Sequence, residues 1–374
     1  MLDPRHTPSP AFVLELRSFK KNLACLNAFQ RDAGVQIILA LKGFAMHRVF
    51  PMVHEITRGA SASSLNEVCL AREFFEDVHT YAPAYRDGEF DAVAERSCHI
   101  TFNSLNEYDR YRHRMGKASA GLRVNPGYSD VETDLYNPCV KGSRLGVRVD
   151  ALSGGLPEGI EGLHVHNLCE SGAPALATTI EHVERHFGPL LDQVKWLNLG
   201  GGHLVTRDGY DQAIAIHALR ELRKQHPHLA VILEPGAAFA WRSGVLVATV
   251  LDLVEPGELP VAMLDVSFTA HMPDCLEMPY TPAMRGATLD GVGPYQYRMG
   301  GASCLAGDVV GNYAFDAALE VGQRLVFEDM MHYTMVKTNT FNGVALPAIG
   351  IWHEDNRFEL VAEFGYEDYR SRLS

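Results

Sequence analysis

The sequence predicts a (β/α)8 barrel followed by an antiparallel β-domain. Three observations carry this: eight short apolar segments recur over about 200 residues, amphipathic stretches separate them, and the texture turns β-rich after residue 242. The predicted boundaries are 20–242 for the barrel and 1–19 plus 243–374 for the β-domain.

The first barrel strand is read in Gln36-Ile-Ile-Leu-Ala-Leu-Lys42, an apolar run of the kind covered on both faces of a parallel sheet. Seven more follow, at 59–64, 79–84, 99–104, 121–126, 162–167, 196–201 and 229–236. Helical character lies between them at 65–75, 106–115, 173–187 and 210–226. A doubly wound sheet is the competing architecture, but it usually has fewer strands, and no Gly-x-Gly-x-x-Gly follows the first strand. Beyond residue 242, the segments 245–254, 260–265, 324–328 and 359–362 read as strands of the second domain, and 10–14 can join them.

Composition narrows the function. The chain has 374 residues, 47% hydrophobic and 21% charged, as expected of a globular protein with one large core and a second domain. No segment approaches the roughly 20 apolar residues of a membrane span, and the start resembles no signal peptide. Seven scattered cysteines without Cys-x-x-Cys indicate neither a disulfide framework nor a zinc module, so no metal is expected and the cytosol is the expected compartment. A net charge of -13, from 33 basic and 46 acidic residues, argues against nucleic acid and anionic membrane and suits a cationic small molecule.

Barrel enzymes place their chemistry at the C-terminal ends of the strands. Lys42 ends the first strand, where its ammonium either snorkels into water or loses its proton against low-dielectric surroundings. The deprotonated form is the nucleophile that a Schiff base with an aldehyde cofactor requires. Arg123-Val-Asn-Pro ends the fifth strand, His164 and His166 the sixth, and Glu234-Pro235-Gly236 the eighth. The run Gly200-Gly201-Gly202 after the seventh is either a flexible turn or a phosphate cup that opens a helix.

In order, the chain carries Lys42-Gly, Arg123-Val-Asn-Pro-Gly127, His164-Val-His166, Gly200-Gly-Gly202, Glu234-Pro-Gly236, Ser303-Cys304-x-x-Gly-Asp308 and Tyr333 with Thr340-Phe-Asn-Gly343. This series, spanning about residues 10–345, resembles the fold-type III, alanine-racemase-like pyridoxal-phosphate decarboxylases. Within them Ala40-Leu-Lys42-Gly-Phe-Ala, His164-Val-His-Asn-Leu-Cys-Glu170 and Gly301-Ala-Ser-Cys-Leu-Ala-Gly-Asp308 look most like carboxynorspermidine decarboxylase.

The resemblance implies pyridoxal 5'-phosphate on Lys42, with Glu234 on the pyridine nitrogen and His166 stacked on the ring. Gly201, Gly202 and Gly236 would bind the phosphate, helped by Tyr333, which could instead be a half-buried strand residue. Cys304 would enter from the neighbouring subunit of a homodimer and return a proton to the substrate carbon. Arg144 and Asp308 would pair across that interface. The implied substrate is carboxynorspermidine or carboxyspermidine, decarboxylated to norspermidine or spermidine in polyamine biosynthesis. Two departures stand out. Leu305 follows Cys304 where relatives carry an acid, so Asp274 becomes the candidate for the distal cation, or else a loop acid. Ala237 stands where ornithine-type enzymes carry an arginine. The alternatives are meso-diaminopimelate decarboxylase and a non-catalytic regulator on the same fold; a racemase would pair the ring nitrogen with arginine rather than glutamate.

Overall fold

The computed structural model describes residues 2–289 and 292–374. The chain divides into two compact units, Leu23–Phe239 and Met1–Asn22 with Ala240–Ser374.

The strand of the second unit's N-terminal segment, β1 (Ala11–Glu15), comes first in the chain. The unit Leu23–Phe239 then holds β2 (Gln36–Ile37), β3 (Leu39–Ala40), β4 (Gly59–Ala62), β5 (Asp77–Tyr81), β6 (His99–Phe102), β7 (Ser119–Arg123), β8 (Ile160–His164), β9 (Trp196–Asn198) and β10 (Ala230–Leu233). All pairings within this sheet are parallel, in the order β2-β10-β9-β8-β7-β6-β5-β4-β3. β2 and β3 are two pieces of one run. Ile37 pairs with Leu233, the Ile38 amide donates to the Leu233 carbonyl at 2.9 Å, and Leu39 pairs with Ala60. The sheet therefore returns on itself as an eight-strand barrel, as the sequence predicted. The apolar runs become strands because both faces are covered: Ile37 to Leu41 are at most 2% exposed.

Local sequence sets the turns that leave the strands. Ser64 and Ser104 each accept the amide three residues on, from Glu67 and Glu107. Those glutamates reach back to the Ser63 and Asn103 amides, so each Ser-x-x-Glu starts a helix directly after a strand. Helices follow at Leu65–Phe74, Asp87–Arg96, Leu105–Tyr111, Ala173–Leu191 and Gln212–Gln225. The link between β7 and β8 contains no α-helix and has two 3-10 turns, Asp134–Tyr136 and Val149–Leu152. Trp196 fills the floor of the barrel. A Cβ on Gly121 or Gly162 would lie 2.2 or 2.0 Å from its ring, so only glycine leaves room.

The other unit carries β1, β11 (Gly244–Val254), β12 (Val261–Leu264), β13 (Ala287–Leu289), β14 (Tyr295–Gly300), β15 (Val309–Phe315), β16 (Arg324–Glu328), β17 (Ala348–Trp352) and β18 (Phe358–Ala362). The predicted segments 10–14, 245–254, 260–265, 324–328 and 359–362 are strands here. The pairing is mainly antiparallel, but β1–β17 and β12–β14 run parallel, so the sheet is mixed. The parallel pairs join segments far apart in sequence, which a reading of successive hairpins does not anticipate. Leu2, Ala11, Val13, Val245, Val247, Val326 and Trp352 form its core. No helix among the described residues is long and apolar enough to cross a membrane.

Candidate active site

Lys42, just past β3, faces His166, just past β8, across the C-terminal end of the barrel: Nζ and Nε2 are 3.2 Å apart. The Gly201 amide donates to His166 Nδ1 at 3.1 Å. That makes Nδ1 an acceptor, so the neutral ring carries its proton on Nε2. An Nε2–H aimed at an amine nitrogen needs a lone pair there, which requires Lys42 to be neutral. The energetics agree. Burial lowers the Lys42 amine from its ordinary value, against the pull of Glu234 and with the push of Arg123. His166 is also driven well below its ordinary value, by burial first and then by Lys42 and Arg123. The lysine therefore gives up its proton more readily than an exposed one, and its amine is set against His166 rather than snorkelling into water.

Glu234 follows β10 directly. Asn198, the last residue of β9, donates Nδ2 to Glu234 Oε1 at 2.5 Å and accepts the Gly200 amide on Oδ1 at 2.8 Å. Burial would raise the Glu234 carboxyl, but His164, Lys42, His79 and the Asn198 bond outweigh it and hold it below its ordinary value. His164 ends β8, is 3% exposed, and is pushed down to about 3 by burial. Arg123, the last residue of β7, is 3% exposed; Nη1 donates to Tyr81 Oη and Nη2 to the His166 carbonyl, both at 2.7 Å.

The glycine run is demanded by close backbone approach. Gly200 and Gly202 have φ of +67° and +89°, and a Cβ on Gly201 or Gly202 would lie 2.3 Å from the Glu234 carbonyl or 2.1 Å from that of Leu168. Contrary to expectation, the run does not open a helix: the next one begins at Gln212, capped by Asp211. The Gly201 amide is engaged by His166 and that of Gly236 by the Glu234 carbonyl at 2.9 Å. A phosphate role for these two requires the amides to exchange partners.

The remaining predicted residues belong to the sheet unit, except Arg144, which is exposed on the β7–β8 link. Cys304 is exposed, with its amide bonded to Asn342 Oδ1 at 2.7 Å, and Leu305 is 47% exposed. Asp308 is 3% exposed and accepts the Thr269 and Ser303 amides, each at 3.0 Å, so its carboxylate is committed to the loop that carries Cys304. Tyr333 is half-buried and lies outside any strand, at φ +45°, a conformation that a non-glycine residue adopts only when its surroundings hold it there. Asp274 is no exposed loop acid: it is 5% exposed, and Oδ2 accepts from Tyr280 Oη at 2.7 Å and Thr334 Oγ1 at 2.8 Å. Its Oδ1 is buried without a hydrogen-bond partner.

Sequence reasoning quoted Arg123 only within a motif and missed Tyr81 and Asn198. The signal for Asn198 was a lone amide between Leu197 and Leu199 in an apolar strand. One group among the described residues gathers metal-type ligand atoms, namely Asp77, His79 and His99 at the barrel floor. Asp77 Oδ1 lies 3.1 Å from His79 Nε2 and 3.4 Å from His99 Nδ1. The two rings stack at 3.9 Å with planes 18° apart, so their lone pairs run side by side instead of converging on one point. The cluster reads as a polar contact on the barrel floor.

A half-buried lysine with a lowered pKa, a glutamate held ionised and a histidine fixed in one tautomer, all at the strand ends of a barrel followed by a mixed sheet, define a pyridoxal-phosphate enzyme. The donor set fits the cofactor: a nucleophilic amine for its aldehyde and a carboxylate for its ring nitrogen. A model of the pyridoxal-dependent decarboxylases, C-terminal sheet domain, matches residues 92–331. A carboxyaminopropylagmatine decarboxylase from Synechocystis is 56% identical over 98% of this chain and 95% of its own. A carboxynorspermidine/carboxyspermidine decarboxylase from Campylobacter jejuni is 39% identical over 97% and 98%. A crystal structure of carboxynorspermidine decarboxylase from Campylobacter jejuni, complexed with norspermidine, superposes with a TM-score of 0.90 at 37% identity, covering 98% of this chain and all of that one. The chain belongs to the pyridoxal-dependent decarboxylase family, and its cofactor is pyridoxal 5'-phosphate.

Proposed function

We propose that this protein decarboxylates carboxynorspermidine and carboxyspermidine to norspermidine and spermidine, as a cytoplasmic homodimer with shared active sites. The observation that carries the enzymatic reading is the Lys42–His166–Gly201 arrangement, which sets a lysine amine of lowered pKa against a neutral imidazole at a barrel mouth. The substrate class draws on the relatives named above. The 56% identity to a carboxyaminopropylagmatine decarboxylase favours a second reading, in which the far end of the substrate is a guanidinium. All three substrates are carboxylated amines with a cationic tail.

Bound pyridoxal phosphate supplies the electron sink for loss of CO2. In our reading, the barrel unit 20–242 binds it and the sheet unit contributes the dimer interface. Lys42 would hold the cofactor through its aldehyde. Glu234, kept ionised, would take the ring nitrogen and keep it protonated. His166 would pack on the ring face, and Gly201, Gly202, Gly236 and Tyr333 would hold the phosphate. Cys304 of the partner subunit donates a proton to the substrate carbon after CO2 leaves. Its exposure, with Leu305, Val309 and Phe341 at 47%, 38% and 45% in the same unit, suits a surface covered by a second copy.

The unpartnered Asp274 Oδ1 suits a cationic substrate tail, because a buried carboxylate oxygen without a donor is costly until one arrives. It opposes meso-diaminopimelate, whose tail brings a second carboxylate. A non-catalytic regulator would have no use for a lysine of lowered pKa and a glutamate held ionised at the same barrel mouth. The test is CO2 release from carboxynorspermidine, carboxyspermidine, carboxyaminopropylagmatine, meso-diaminopimelate, ornithine, arginine and lysine. Release from the carboxylated polyamines supports the reading; preference for meso-diaminopimelate or the simple amino acids overturns it.

A further inference from the structure

A continuous chain of hydrogen bonds runs from His166 out to the β7–β8 link. The His166 carbonyl accepts Arg123 Nη2 at 2.7 Å, and Arg123 Nη1 donates to Tyr81 Oη at 2.7 Å. Tyr81 Oη donates to Asn103 Oδ1 at 2.9 Å. Asn103 Oδ1 also accepts the Gly146 amide at 2.9 Å, and its Nδ2 donates to the Arg144 carbonyl at 2.8 Å. The three side chains and the His166 carbonyl belong to four different strand ends or turns of the barrel, so no local helix or hairpin makes the chain obligatory.

The far end of the chain is fixed as firmly as the near end. Val147 bridges Val124 in parallel, its amide donates to the Arg123 carbonyl at 2.8 Å, and the Asn125 amide donates to the Val147 carbonyl at 2.9 Å. Gly146 sits at φ +82°, and a Cβ there would meet the Val124 carbonyl carbon at 3.1 Å and Arg123 Cγ at 3.3 Å. The link between β7 and β8 has no α-helix to anchor it to the barrel, so this contact fixes the position of residues 144–147. Arg123 is 3% exposed and its charge is spent on a phenol oxygen and a backbone carbonyl, which holds the guanidinium plane rigid.

We propose that Tyr81 and Asn103 are positioning residues which transmit the placement of the 144–147 segment to His166 through Arg123. The inference rests on the decarboxylase reading only in taking His166 as the residue against the cofactor. In the proposed dimer, the same segment presents Arg144, so subunit association and the seating of His166 share one rigid connection.

Tyr81→Phe removes the oxygen that accepts from Arg123 and donates to Asn103, while its ring remains. Asn103→Ala cuts the connection to the link. Asn103→Asp keeps Oδ1 for Tyr81 and Gly146 and loses only the donor to Arg144. The holoenzymes are compared in kcat, KM, thermal midpoint and the visible circular dichroism of the bound cofactor, which reads its orientation independently of turnover. Loss of the hydrogen bond to the charged Arg123 predicts that Tyr81→Phe lowers kcat about tenfold with KM nearly unchanged, and Asn103→Ala, which removes only neutral hydrogen bonds, lowers it by a smaller factor in the same way. Both are expected to alter the visible dichroism alongside a modest fall in thermal midpoint, and Asn103→Asp to recover most of the kcat and dichroism. Wild-type dichroism and kcat in Tyr81→Phe and Asn103→Ala overturn the proposal. So does a fall in thermal midpoint alone, or an Asn103→Asp no better than Asn103→Ala. Should wild type release no CO2 from any carboxylated polyamine, the decarboxylase reading falls, while the dichroism still decides the coupling.

Discussion

Asp274→Asn separates a binding role for this carboxylate from a structural one. Oδ2 accepts two hydroxyl hydrogen bonds, and Oδ1 is buried with none. In the variant, the amide oxygen takes the place of Oδ2 and still serves Tyr280 and Thr334, so the local packing is preserved. The NH2 group falls where Oδ1 was and turns an acceptor for a cation into a donor. The loss is one charge-assisted hydrogen bond, about 1.5–3 kcal/mol, which is roughly 10–100-fold in kcat/KM for a carboxylated polyamine. Thermal stability and the absorbance of the bound cofactor should match wild type, because neither depends on the charge. Steady-state kinetics on carboxynorspermidine and carboxyaminopropylagmatine measure the first effect, and melting and visible spectra the second. Unchanged kcat/KM on every carboxylated polyamine would refute the assignment. A large fall in thermal midpoint would show that the carboxylate is structural.

His203 is 1% exposed and burial pushes it down to about 4 from 6.5. The unfolded chain takes up this proton below 6.5 and the folded chain does not until about 4, so stability is lost as pH falls through that window, by about 2 kcal/mol at pH 5. His203→Gln should flatten the acid side of stability against pH in urea titrations, and a parallel curve would count against it; His164 and His271, lowered in the same direction, keep part of the slope. Asp308→Ala frees the Thr269 and Ser303 amides and loosens the Cys304 loop, so sedimentation is expected to show a weaker dimer together with lower turnover. A fully active monomer would contradict the shared site. Gly202→Ala sets a Cβ 2.1 Å from the Leu168 carbonyl at φ +89°, and cofactor titration should show binding weakened by an order of magnitude or more. Wild-type affinity would remove the glycine run from the cofactor site.

The barrel was legible because short β-like segments recur between helical stretches, the clearest being the apolar run that begins at Gln36, whose residues 37–41 are covered on both faces. The sheet unit was read less completely. The segments 287–289, 295–300, 309–315 and 348–352 were missed: Tyr295-Gln-Tyr-Arg-Met-Gly and Val309-Val-Gly-Asn-Tyr-Ala-Phe mix exposed polar with apolar positions and carry glycines, which hides a strand signal. The parallel pairing of β1 with β17 joins residues more than 300 apart in the chain, and no local pattern encodes it. At the site, Lys42, His166 and Glu234 were visible as chemistry-bearing residues at strand ends. Spacing alone could not say which histidine meets the lysine, since 164 and 166 share one side of a strand; the structure decides it by placing His166 Nε2 at 3.2 Å from Lys42 Nζ. Tyr81 and Asn103 stayed hidden because their roles depend on contacts among four separate turns.

At the centre stands Lys42 as the amine that holds the cofactor. Borohydride reduction of the holoenzyme, followed by peptide mass mapping, tests it most directly. The cofactor is expected on the peptide containing Lys42 and on no other, and Lys42→Ala is expected to lose the label, the visible absorbance and turnover by orders of magnitude while folding as wild type. Label on a different lysine, or an undiminished label in Lys42→Ala, would contradict the claim.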